Sequence, residues 1–456
     1  MNNESKIAHI DIAQNPNVKE FLEYCSFMRE PNGEEIDEIV NNFEIFNIKE
    51  EKLPNNLITI ASSSYEASIH DNIPFTNIGY VKLVTSLLKY NDIKDVSKDK
   101  FIDPFKLAKI TDENESLVFV LPSCNIKYKD TKNTKESFRL ALDEFFENFR
   151  DDINDRKTSL KETLFWLFSY RKINNDNKII LHKCPTCGHE NVTIQNIEES
   201  QFCPHCENRI FATDCLRLYE ELDEHAISNK GVLGRFEKVI KHIYLGHLLR
   251  MIKIKNKNTY LQMLKNIGII IDGPLMIAGT AAWVHKSLMK VIYEINVEMR
   301  SKRYNDLLII GLLKESSIIS SYAQLISQHL ENNSLLCISD EFREKYITFN
   351  KESSGTTFGN ETYYGQDFLW KHNNSVFSFN LPYYLGTKEN VEKFKIDKCN
   401  YLMYNNLNIA LLLLSELKSD INTTSIIPLV LSQSYTMISM EPGAKVLDLL
   451  SKNNII

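Results

Sequence analysis

The chain has 456 residues, a formal net charge of −7, 43% apolar residues and 25% charged residues. That length exceeds one simple core and predicts two or three structural units. The charge excludes a chain that is basic throughout, so nucleic-acid contact would need a local patch.

The opening MNNESKIAHIDIAQ lacks the apolar segment of a signal peptide. The most apolar stretch, IALLLLSEL at 409–417, is about half a membrane span and predicts a core helix. The expectation is a cytoplasmic protein with no membrane contact. The nine cysteines fit it. Cys25, Cys124, Cys215, Cys337 and Cys399 are scattered, and a reducing compartment keeps them as thiols.

In chain order, residues 1–54 predict a helical region with an acidic stretch, PNGEEIDEIVNNFE. NNLITIASSSYEASI at 55–69 reads as a strand, a small-residue turn and a second strand. IGYVKLVTSLLKY at 78–90 and SLVFVLP at 116–122 continue as strands, the latter buried. Helical periodicity runs from about 131 to 172. Cysteine-rich sequence fills 181–211, and 212–256 is helical again. IGIIID at 267–272 is a short β-branched apolar run and predicts a buried strand. A helix follows in AAWVHKSLMKVIYEINVEMR, then strand DLLIIGLLK at 306–314 and a helix over 317–331. SLLCISD at 334–340 and NSVFSFNLPY at 374–383 are strands. The expected fold class is α/β, a mixed sheet flanked by helices, with one core over 55–180 and 212–456 interrupted by the insertion.

KCPTCGHE and QFCPHCEN set Cys184-x2-Cys187-x15-Cys203-x2-Cys206. This is zinc-ribbon spacing: two tight knuckles supply four thiolates in a tetrahedron. Four sulfurs complete the shell, so His189 and His205 are bystanders and the site is structural. Zinc-finger peptides gain on the order of 10 kcal/mol from the metal. The insertion is either a stapled module or one that contacts DNA or a partner.

Asp272 ends the apolar strand and stands before Gly-Pro-Leu. A carboxylate there can be a metal ligand, a general base or a cap of the following segment. A two-metal nuclease needs further carboxylates around it. The candidates are Glu66, Asp71, Glu237 and Asp340. Lys314 closes its apolar run where α/β sheets place their sites. Two basic stretches flank the Asp272 strand, one with Arg250, Lys253, Lys255, Lys257 and Lys265, the other with Arg300, Lys302 and Arg303. A groove for a DNA backbone is the functional reading of both. No Walker A loop, Rossmann fingerprint or serine elbow occurs.

Several stretches in order (SSSYEASIHDNIPFTNIGYVKL, TKESFRLALDEFF, SLKETLFWL, FATDCLRLYEEL after the ribbon, IIIDGPL, LLIIGLLKESS, YYGQDFLW and IIPLVLSQSYTMISMEPGAKVLDLL) resemble the NurA family of DNA-end-processing nucleases, in the form with an inserted zinc ribbon. The similarity runs from about residue 57 to the end. It implies an RNase H-like fold, a homodimer, a nuclease dependent on Mn2+ or Mg2+, and a HerA-type hexameric ATPase as partner, in DNA-end processing or antiphage defence. Asp272 matches a metal-binding aspartate of the family. Ala61, in ITIASSSYEA, stands where the first-strand aspartate belongs. The family's helical glutamate has no clear counterpart in GRFEKVIKHIYLGHLL, where Glu237, Lys241 and His247 lie. Gln433 replaces a histidine expected after a Pro-containing strand, with Tyr435 nearby. Alanine cannot ligate a metal, and glutamine is no acid or base near neutral pH. The alternative implied is a catalytically inactive DNA-binding adaptor.

Overall fold

The computed structural model describes residues 15–25, 28, 30–69, 75–97, 114–171, 177–348, 357–419 and 425–437. Its strands, in chain order, are β1 (Glu44–Ile45), β2 (Asn56–Ser68), β3 (Asn77–Lys89), β4 (Asn114–Cys124), β5 (Lys178–Lys183), β6 (Glu190–Gln195), β7 (Gln201–Phe202), β8 (Arg209–Ile210), β9 (Ile267–Asp272), β10 (Leu308–Leu312), β11 (Ser334–Cys337), β12 (Gly365–His372) and β13 (Ser375–Pro382). Nine of them form one mixed sheet in the order β1-β11-β12-β13-β10-β9-β2-β3-β4. β2, β9 and β10 run parallel, and the other neighbours are antiparallel.

The parallel trio is the centre of the molecule. β9 is buried at every position, as a strand covered on both faces must be. Gly268 lets its neighbours close in: a Cβ there would lie 3.1 Å from Leu57 and 3.2 Å from Leu308. One face of β2 and β3 carries the helix Lys230–Lys255, whose Leu233, Phe236 and Ile240 are buried. The other face carries the helix Ile427–Thr436.

Three expectations are corrected here. ASSSYEAS is the second half of one continuous thirteen-residue strand, not a turn between two. The three serines alternate between faces and bond to both flanking helices, which holds them extended. IIPLVLSQSYT is a helix rather than a Pro-containing strand. Its proline sits in the first turn, where no amide is needed. Packing then outweighs the β-propensity of Ile426 and Ile427: Ser432 Oγ meets the hydroxyl of Thr59 and lies 2.9 Å from that of Ser86. β4 is an edge strand rather than a fully buried one. Phe119 and Leu121 face the core while Val118 and Val120 are exposed.

The N-terminal region joins the sheet, since β1 pairs with β11. Its helix Gly33–Val40 places Ile39 in a smaller second core with Ile319, Tyr322 and Phe342. The helix Leu407–Glu416 is the core helix expected from IALLLLSEL. No helix among the described residues is long and apolar enough to cross a membrane.

Candidate functional sites

The four cysteines come together. β5–β6 and β7–β8 are two hairpins, and each CPxC knuckle is closed by the same pair of backbone bonds. Gly188 N donates to Cys184 O at 3.0 Å and Cys184 N to His189 O at 2.7 Å. Glu207 N donates to Cys203 O and Cys203 N to Asn208 O, both at 2.9 Å. All four Sγ atoms lie within 4.8 Å of one another. Cys184–Cys206 and Cys187–Cys203 are 3.8 and 3.7 Å apart. A tetrahedron with metal–sulfur bonds of about 2.3 Å has edges of about 3.8 Å, so the thiols fit a metal ion such as zinc. His189 and His205 stack on each other at 3.3 Å between centroids. The hairpins are not a loose appendage: Ile179, Leu181, Val192 and Ile194 belong to the main core. All nine cysteines are free thiols.

Asp272 is the second site. Its side chain is 1% exposed. A buried carboxylate costs several kcal/mol unless it is paired, and the structure pairs each of its polar atoms differently. Oδ1 accepts from Gln433 Nε2 at 3.0 Å. Oδ2 lies 3.1 Å from Lys314 Nζ, an ion-pair distance outside hydrogen-bond alignment. The backbone carbonyl accepts from Lys241 Nζ.

Local geometry explains the convergence. Leu312 pairs with Asp272 across the parallel ladder, and Lys314 lies two residues on, on the same face. The chain must then turn sharply. Gly273 adopts φ +109°, which favours glycine. Gly311 makes room for that turn, since a Cβ there would sit 2.8 Å from the Gly273 carbonyl oxygen. Lys241 comes from the long helix. Burial lowers its pKa, against the pull of Asp272 and Glu237. Burial also works against the charge on Lys314, but Asp272 and Glu237 outweigh it and raise its pKa.

The registers place Ala61 beside Asp272, because Ile60 pairs with Ile271. Ala61 is wholly buried and offers no ligand atom. Glu237 does not fill the gap. Its carboxylate accepts from Ser62 Oγ at 3.1 Å and Ser64 Oγ at 2.9 Å. Those serines point to the opposite face of β2 from Ala61. His247 belongs elsewhere, 3.0 Å from Asp151 and 2.7 Å from the Thr163 hydroxyl.

Two sequence candidates are not gathered to Asp272. Glu66 lies five residues beyond Ala61 on β2, about 17 Å along a strand. Its carboxylate is held by Ser123, Ser228 and the Asn229 amide. Asp340 follows β11, four strands from β9 and so about 19 Å across the sheet. It is paired with the buried Lys398. Asp71 lies outside the described residues. Among the described residues, the four cysteines are the one group of three or more His, Cys, Asp or Glu side chains close enough to share a metal.

The basic stretches also sort differently from expectation. They precede β9 and β10 and therefore lie at the opposite end of those strands from Asp272, about 17 Å away. Lys253 pairs with Glu298 at 3.0 Å, Lys255 with Asp151 at 2.9 Å, and Arg300 with Asp306 at 2.6 Å. Lys257 and Arg303 have no ion pair among the described residues.

Sequence reasoning reached Asp272, Ala61, Lys314, Lys241 and Gln433, and the structure brings these five together. It missed Ser62, Ser64 and Ser432 as helix-docking hydroxyls. The signal for Ser62 and Ser64 was a pair of hydroxyls two residues apart on a strand otherwise too apolar for solvent; Ser432, on a helix, had none. Neither a protein-family model nor a curated protein matches the chain.

Proposed function

We propose that this chain is a NurA-like subunit of a DNA-processing complex. It binds DNA and docks on a HerA-type hexameric ATPase, and its nuclease metal centre is degenerate. In this reading it acts in the cytoplasm as a homodimer, in DNA-end processing or antiphage defence, and the ribbon holds Zn2+. The metal-dependent nuclease that the family resemblance implies would need Mn2+ or Mg2+ at Asp272.

One observation carries the reading. Asp272 has its two oxygens taken by Lys314 and Gln433, with Ala61 alongside. A divalent ion needs several oxygen ligands, and in a two-metal mechanism neighbouring carboxylates hold both ions. Here an ammonium supplies the positive charge, and the neighbouring strand supplies a methyl group. The antiparallel β4-β3-β2 followed by parallel β9 and β10 supports an RNase H-like arrangement.

The test is gain of function. The purified chain is assayed for binding and cutting of linear DNA with Mn2+, beside the Ala61→Asp/Gln433→His double variant. The reading predicts DNA binding without cutting by the parent, and measurable Mn2+-dependent cutting by the double variant. A parent that fails to bind DNA, with or without the ATPase, contradicts it.

A further inference from the structure

We infer that a phosphate-binding cleft lies at the far end of the sheet from Asp272, built by Lys52, Lys265, Arg303 and Tyr304, and that it takes a phosphorylated nucleotide unit. A cavity of about 160 Å3 opens there, at the first residues of β9 and β10. Three cations from separate segments line it: Lys52 from the lead-in to β2, Lys265 before β9 and Arg303 before β10. None of the three is ion-paired among the described residues, unlike Lys253, Lys255 and Arg300 nearby.

The one acid lining the cleft does not cancel them. Asp306 already accepts from Arg300 Nε at 2.6 Å and from Asn405 Nδ2 at 3.3 Å. Uncompensated positive charge around a concave surface focuses field on an anion. The turn that presents Arg303 holds it at φ +58°, a conformation uncommon for a residue other than glycine. Lys265 Nζ stands 4.5 Å from the centroid of the half-buried Tyr304 ring. The contact holds an aromatic ring at the cleft beside its cations, and grooves that bind single strands combine cations with aromatic side chains. The cleft has room for one phosphate with part of its sugar. That unit can belong to a DNA strand or to a free nucleotide; the strand follows only if the DNA-handling reading above holds.

The experiment uses the full chain and two probes. A short fluorescent 5′-phosphorylated oligothymidylate is read by anisotropy across a salt series, and thymidine 5′-monophosphate by calorimetry. Lys265→Ala/Arg303→Ala is expected to bind the oligonucleotide at least tenfold more weakly. Its salt dependence should fall by about 1.4 in slope, about 0.7 for each phosphate that no longer has its cation. Tyr304→Leu should weaken binding about tenfold with the slope unchanged. Thermal unfolding of each variant checks that it folds. Loss of mononucleotide binding alone supports the cleft and names a free nucleotide as its ligand. A parent that binds the oligonucleotide, with variants equal to it on both probes, overturns the cleft and leaves the DNA-handling reading standing. A parent that binds neither probe overturns the cleft and also removes support for that reading.

Discussion

Gln433 Nε2 donates to Asp272 Oδ1 at 3.0 Å, joining a C-terminal helix to the end of the central strand across 161 residues of sequence. With Lys314 on the other oxygen and Lys241 on the carbonyl, the bond makes the buried Asp272 the hub of a polar network that reaches the surface at Lys314. The network gives the carboxylate one hydrogen bond, on Oδ1, and a countercharge beside Oδ2. It also ties together β9, β10 and both helices that cover the parallel strands.

Removing the cation exposes that dependence. Lys314→Met should lower stability by about 1–2 kcal/mol. That is less than the 3–5 kcal/mol of a fully buried pair, because the Lys314 side chain is 46% exposed and solvent screens its charge. Adding Asp272→Asn should recover much of the loss. Urea unfolding of the single and double variants measures both, and a single variant as stable as the parent would show that Lys314 is not needed there.

Much of this arrangement was legible in the sequence. The apolar run at 267–272 announced a buried strand, and its terminal carboxylate demanded a partner. The CPxC spacing announced the metal knuckles. What the sequence could not show was which acids approach Asp272. Glu66 and Asp340 read as equivalent candidates, and only strand length and strand order separate them from it. The helix Ile427–Thr436 misled for a different reason. Its β-branched start favours a strand locally, and only the hydroxyl contacts of Ser432 with distant Thr59 and Ser86 decide otherwise.

The turn after Asp272 relies on Gly311. An alanine there would bring its Cβ to 2.8 Å from Gly273 O and 2.9 Å from Leu275 Cγ. Gly311→Ala should cost about 1–3 kcal/mol by overpacking and displace the Asp272 turn. Wild-type stability in that variant would mean the turn moves aside freely.

Acid should weaken the fold before most carboxylates titrate. Burial, with Lys241 nearby, pushes His242 down to about 3, and burial, with Lys388, does the same for His285. Each is neutral when folded, while its unfolded form protonates near 6.5. The stability is therefore complete above pH 6.5 and is lost as pH falls from 6.5 toward 3. The slope is about 1.4 kcal/mol per pH unit for each histidine. Urea midpoints between about pH 6.5 and 5 should drop accordingly, and His242→Gln should reduce the slope by one proton. A flat profile would mean the histidines are solvated.

Metal analysis should return about one zinc per chain. Cys184→Ser should lose it and loosen residues 178–211, seen as faster proteolysis within that stretch. A Cys184→Ser protein that holds zinc normally would contradict the four-thiolate site.

The most direct measurement of the central claim is Mn2+-dependent cleavage of linear DNA by the purified chain, compared with its Asp272→Ala variant. With Asp272 bound to Lys314 and Gln433 and no carboxylate at Ala61, neither protein should cut above background. Robust cutting by the parent that Asp272→Ala abolishes would show that Asp272 still serves a working metal centre, and would contradict the account.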